Sequence, residues 1–147
     1  MKNIEVKNYR TLKGNTLNIT GADFIVKELI PQAEVSALHA NVVEVQPGQT
    51  SYSYHWHEKN EEVFFILSGQ AIVTTQDKEI HLSQADAITF PVGPKGAHCI
   101  RNASDSEPLV YLDFGADHSL EIAHFPQSKQ MLILAPYTQA MVSQPNK

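Results

Sequence analysis

Between Asp23 and Gly115 the chain is a run of short β-prone segments, each cut off by turn residues, and this constrains its fold more than any other feature. Phe24 to Ile30 ends at Pro31, and Val42 to Val45 ends at Pro47-Gly48. Tyr52 to His57, Glu62 to Ser68 (closed by Gly69) and Ala71 to Thr75 (closed by Gln76-Asp77) follow. Glu79 to Leu82, Ala87 to Phe90, His98 to Asn102 and Leu109 to Phe114 complete the series. Turn signals at this spacing predict an antiparallel sandwich or barrel, not βαβ units. No window in the stretch keeps a helical period over three turns. The expected class is all-β.

A single domain over 1–147 is expected, with its core at about 23–115, an extended N-terminal arm over 1–22 and a C-terminal extension over 116–147. The arm is suited to adding an edge strand. In the extension, the apolar run Met131 to Ala135 lies among Pro126, Pro136 and Pro145. One short helix around Ser119 to His124, then strand or coil, is expected there, with Ser143 to Lys147 frayed.

Alternation along Glu62 to Ser68 puts Glu62, Phe64 and Ile66 on one face and Val63, Phe65 and Leu67 on the other. Both faces are apolar past the first position, so the strand should be covered on both sides. Tyr52, Tyr54 and Trp56 share a face by the same count. A lone small barrel leaves its outside wet, so either a partner subunit or the chain's own termini must cover these residues. A homodimer is expected.

The net charge of −5 and a pI near 5.7 provide no basic surface for a nucleic-acid partner. The longest apolar runs, Val63 to Leu67 and Met131 to Ala135, are too short to span a bilayer, and Met1 to Gly14 has no apolar stretch of the signal-peptide kind. A single cysteine, Cys99, excludes an internal disulfide and fits a reducing cytoplasm. The seven histidines stand out, because neutral imidazole is the commonest metal ligand.

His55 and His57 are two apart on an expected strand, so both imidazoles project from one face, with Trp56 opposite. A turn at Glu58-Lys59-Asn60 brings the chain back, and Glu62 opens the next strand on the inner face. Two imidazole nitrogens and a carboxylate oxygen suit a divalent first-row metal. Farther on, Pro91, Gly93, Pro94 and Gly96 form a tight loop before His98. His98, Ile100 and Asn102 should face inward, with Cys99 and Arg101 outward, which sets His98 up as a fourth ligand.

These two stretches resemble the double signature of the cupin superfamily. The first motif is matched by Gly48, His55-Trp56-His57, Glu62 and Gly69, and the second by Ala85-Asp86, Pro91-Val92-Gly93, His98 and Asn102. The resemblance covers about residues 40–114. It implies a jelly-roll β-barrel holding one divalent transition metal ion (Fe, Mn, Ni, Zn, Co or Cu) on His55, His57, Glu62 and His98. The chain departs from the pattern in three places. Six residues separate Gly48 from His55 instead of five, Ala85 stands where a glycine is usual, and two extra residues lie between Gly93 and His98. Glu61 rivals Glu62 as the ligand; Glu62 fits the spacing to Gly69 and the parity with Phe64 and Ile66.

The competing reading of the four residues is a metal-free pocket in which they bond to one another. Burying an unpaired carboxylate is costly, which favours a cation at Glu62. His39 and His81 read as surface or hydrogen-bonded side chains. His118, Glu121 and His124 would share one face of the short helix, a weak second metal candidate. Cys99 reads as a small buried hydrophobe, and Lys95 at the loop lip as solvated or as an attractor of anionic substrates. Tyr111 or Asp113 is expected to line the pocket. The favoured function is a small-molecule metalloenzyme with dioxygenase-, isomerase- or decarboxylase-type chemistry and Glu62 as ligand and catalytic base. The alternative is a non-catalytic cupin that binds or senses a small molecule, with or without metal.

Overall fold

The computed structural model describes residues 3–19, 21, 23–32 and 36–146. Among them there are thirteen strands and one 3-10 turn, and every strand pairing is antiparallel. The largest sheet has six strands: β1 (Asn15–Asn18), β2 (Asp23–Glu28), β3 (Leu38–Val45), β10 (Leu109–Ala116), β5 (Glu62–Ser68) and β8 (Ala87–Phe90), in that spatial order. A second sheet is formed by β7 (Glu79–Ser83), β6 (Gln70–Thr75) and β9 (His98–Asn102). These two sheets close on one core in a jelly roll. Phe24, Val43, Phe64, Ile66 and Tyr111 from the first meet Ala71, Val73, Leu82 and Ile100 from the second. Burying a side chain such as Ile66 stabilises the fold by about 2 kcal/mol.

The parity expected on β5 holds. Glu62, Phe64 and Ile66 are buried, and Val63, Phe65 and Leu67 are half-buried. The N-terminal arm supplies β1, which pairs with β2 at the sheet edge. The arm is tied down by two lysines: Lys7 donates to Leu29 O at 2.8 Å, and Lys27 donates to Tyr9 O at 3.0 Å.

The C-terminal extension differs from expectation. No helix forms around Ser119 to His124. That stretch holds β11 (Glu121–Phe125), which pairs with β12 (Gln130–Ala135), and β12 in turn with β13 (Thr138–Ser143). Glu121 and Ala123 alternate with Ile122 and His124 as buried and half-buried positions, a period of two that a stretch this short could not distinguish from a helical turn. The frayed end expected from Ser143 on is corrected at its first two residues. Ser143 closes β13 and Gln144 N donates to Lys129 O at 2.9 Å, while Lys147 lies outside the described residues.

The expected strand Tyr52 to His57 shrinks to β4 (Trp56–His57), preceded by an isolated bridge from His55 to His98. β4 pairs with β11, not with the returning β5, so the turn after His57 carries the chain from one sheet to another. The aromatic patch therefore breaks up. Tyr52 turns inward, edge-on to Phe24 at 5.0 Å, while Trp56 stacks on His124 at 3.8 Å. The chain's own C-terminal sheet covers Trp56.

Candidate metal centre

Three elements bring the site together. His55 enters at the bridge to β9, His98 opens β9, and Glu62 opens β5 with its side chain on the barrel interior. One ligand atom from each of His55, Glu62 and His98 lies within 4.8 Å of the others, a spacing that can hold a metal ion. The His57 ring packs edge-on to His55 with centroids 4.9 Å apart, and its Nε2 stands 3.4 Å from Glu62 Oε1. His98 Nε2 stands 3.4 Å from Glu62 Oε2.

Backbone carbonyls set the tautomers. His55 Nδ1–H donates to Ser53 O at 2.7 Å, and His98 Nδ1–H donates to Gly96 O at 2.8 Å. A carbonyl only accepts, so each Nε2 keeps its lone pair and faces inward. The two extra residues before His98 thus have a use. They belong to the 3-10 turn Pro94–Gly96, whose last carbonyl orients the imidazole. A Cβ at position 96 would sit 1.8 Å from Pro91 O, so only glycine fits there. Phe90 stacks on the His98 ring with centroids 3.5 Å apart, and Phe64 meets it edge-on at 5.3 Å.

The electrostatics separate the members. Burial, then neighbouring His55, pushes His98 down to about 4. Burial likewise lowers His55. Burial works to raise Glu62, but the surrounding histidines outweigh it and hold the carboxylate at about 2. Burial opposes a charge on His57, and Glu62 beside it outweighs that, so its pKa is raised. Two neutral imidazoles and an ionised carboxylate are the protonation states of metal ligands.

The fit to a cation rests on unmet bonding. Glu62 Oε2, His98 Nε2 and both ring nitrogens of His57 are buried without a hydrogen-bond partner. Orphaned buried polar atoms are rare in proteins and costly, and here they are nitrogen and carboxylate donors gathered at one point. The donor set suits a first-row divalent ion. Glu61 is exposed, whereas Glu62 is 7% exposed, which decides between the two rivals for the interior position.

Two buried or half-buried neighbours of the site have partners that spacing along the chain did not show. Glu121, fully buried on β11, accepts from Glu58 N at 2.8 Å and Lys59 N at 3.0 Å, and its Oε1 lies 3.8 Å from His57 Nδ1. It therefore props the turn that carries His57. The weak second candidate does not come together: His118 Nδ1 meets Asn60 Oδ1 at 2.9 Å, and His124 Nε2 meets Glu58 Oε1 at 2.8 Å. His39 is the second neighbour. Its Nδ1–H donates to Ala116 O at 3.1 Å and its Nε2–H to Asp113 Oδ1 at 2.9 Å, so both ring nitrogens are engaged. Burial works against charge on His39, and Asp113 outweighs it, raising the pKa to about 9. The only hint in the sequence was that Asp113 is in phase with Leu109 and Tyr111. Of the two candidates to line the pocket, Asp113 does, and Tyr111 is core, hydrogen-bonded to Ser51 at 3.0 Å.

The Asn102 of the second motif is structural: its amide donates to Val45 O at 3.0 Å and Glu107 O at 2.8 Å. Ala85 takes φ 74° in the left-handed region, so the chain accepts strain where glycine would be free. His81 is exposed and Cys99 half-buried. Among the described residues, no helix is long and apolar enough to cross a membrane.

The comparisons with known proteins agree with this architecture. No functionally curated protein matches the chain by sequence. Solved structures resemble it well. A candidate sugar phosphate isomerase from Acidithiobacillus ferrooxidans superposes with a TM-score of 0.80 at 24% identity, covering 91% of this chain and 86% of that one. A sugar phosphate isomerase of the cupin superfamily from Silicibacter pomeroyi gives 0.75 at 21% identity, covering 84% and 80%. A predicted oxalate decarboxylase from Thermotoga maritima gives 0.67 at 19% identity, covering 76% and 98%. At these identities the likeness speaks for the fold. The profile described as a cupin domain matches residues 41–115, which spans β3 to β10 and every candidate ligand. The chain belongs to the cupin family.

Proposed function

We propose that His55, His57, Glu62 and His98 hold one divalent transition metal ion, and that the chain is a cytoplasmic single-domain metalloenzyme acting on a small molecule. The observation that carries this reading is the group of buried donor atoms on Glu62, His57 and His98 without partners. When bound, the ion supplies a Lewis acid for isomerase- or decarboxylase-type steps on an oxygenated substrate, or dioxygenase-type redox chemistry where it is iron. The chain's own residues do the rest. Ser53 O and Gly96 O hold two imidazoles in the ligating tautomer. Phe64 and Phe90 shield His98 from water. Glu62, kept ionised, is both a ligand and the carboxylate available to take a proton. A cavity of about 390 Å³ opens on Glu62 and His57 and has room for a small metabolite. The names of the isomerase and decarboxylase relatives support the Lewis-acid alternatives.

Elemental analysis and zinc titration of the purified protein test the site. One equivalent per chain is expected for the wild type and none for His98→Ala; a wild type that takes up no metal refutes the reading. A homodimer through Val63, Phe65 and Leu67, half-buried on the outer face of β5, is part of the proposal. Its test is light scattering, where a monomer mass at all concentrations would discard it.

A further inference from the structure

Beyond the histidine cluster, the cavity wall adds the carboxylates Glu28, Asp113 and Asp117 to Glu62, and among the described residues it contains no lysine or arginine. Lys27, next in sequence to Glu28, is turned away: its ammonium sits 2.6 Å from Glu44 Oε1 and 3.0 Å from Tyr9 O. Lys95 lies exposed in the 3-10 turn and is not part of the wall. His39 is the wall's cation beyond the proposed ligands, but both of its N–H groups are committed, one to Asp113 and one to Ala116 O. A phosphate in the outer cavity would meet Glu28 and Asp117, with Asp113 already paired to His39, Glu62 turned to the proposed ion, and no lysine or arginine among the described wall residues. Anion sites are built the opposite way, from arginine, lysine or free backbone N–H groups. The same wall offers acceptors in quantity, together with the neutral amides of Asn41 and Gln32.

We infer that the outer part of this cavity receives a ligand rich in hydrogen-bond donors, hydroxyl or ammonium groups, that carries no phosphate or other anionic group. The inference deepens the metalloenzyme reading, which fixes where the ligand's inner end lies. It also separates this chain from the structural relatives named for sugar phosphates.

The test is ligand-observed NMR on the full chain loaded with zinc, the loading being measured beforehand by elemental analysis. The probes are D-fructose, D-glucosamine and D-fructose 6-phosphate. Fructose or glucosamine is expected to bind at least tenfold more tightly than the phosphate, and the better of the two identifies hydroxyl or ammonium as the favoured donor. Glu28→Lys should improve phosphate binding at least fivefold with zinc content unchanged, and the isosteric Glu28→Gln should act in the same direction to a smaller extent. Phosphate binding equal to or tighter than fructose overturns the inference. So does failure of all three probes to bind, or an unchanged ratio in a folded Glu28→Lys. A protein that takes no zinc refutes the metal reading instead, and the same three affinities are then measured on the metal-free chain, whose wall carries the same charges.

Discussion

Two histidine–carboxylate groupings share the interior of this barrel and have opposite characters. His39 and Asp113 meet at 2.9 Å, the second ring nitrogen of His39 rests on a carbonyl, and its pKa rises to about 9. His98 and Glu62 stand 3.4 Å apart, beyond good hydrogen-bond distance, each with an unmet buried atom, and His98 falls to about 4. The residue types are the same in both. They differ in company: one histidine faces one carboxylate, whereas three histidines crowd around Glu62. Several imidazoles cannot all be charged within a few ångströms, so most stay neutral and keep lone pairs that nothing in the chain accepts. The first grouping is complete within the protein. The second leaves buried donor atoms that could hold a cation.

Removing ligands is the severest test of this contrast. Glu62→Ala and His98→Ala should abolish metal uptake, while His39→Gln should leave it at one equivalent; elemental analysis reads all three. Retention of metal by Glu62→Ala would break the contrast. His39→Gln should instead cost stability, because it leaves Asp113 buried without its partner, and a loss of about 3 kcal/mol in urea unfolding is expected.

The pH dependence sharpens the same contrast. The pKa of His39 is about 9 in the fold against 6.5 ordinarily. Its contribution is therefore complete below about pH 6.5 and lost as pH rises through 9. Unfolding free energies from urea titrations at pH 6 and pH 9.5 should differ by on the order of 2 kcal/mol in the wild type and much less in His39→Gln.

Glu121→Gln lies between the two groupings, since Glu121 touches His57 and the backbone that carries it. It should weaken zinc binding roughly tenfold while preserving the fold, read by competition with a chromophoric chelator. The smallest effect concerns neither grouping. Ala85→Gly relieves the φ of 74° and should raise stability by up to about 1 kcal/mol, with zinc affinity unchanged.

Much of the barrel was legible because period-two patterning and turn residues act locally. The inward faces of β5 and β9 were read correctly from parity, which puts the side chains of Glu62 and His98 in the interior. The start of the C-terminal extension was misread as a helix, because five residues from Glu121 to Phe125 carry too little period to tell a strand from a helical turn, whereas the strand over Met131 to Ala135 was within the expectation. Tyr52 was misplaced for another reason: parity holds only within a regular strand, and the segment before His55 is irregular.

The sequence by itself determined the all-β class, the family motifs and the residue types that can ligate a metal, since these follow from spacing along the chain. Tertiary structure decided the rest. It assigned β4 to the sheet of β11, brought Glu121 beneath His57, joined His39 to Asp113 and lined the cavity with carboxylates. Each of these pairs residues at least sixty positions apart or depends on which sheet a strand joins, and local propensity carries no term for either.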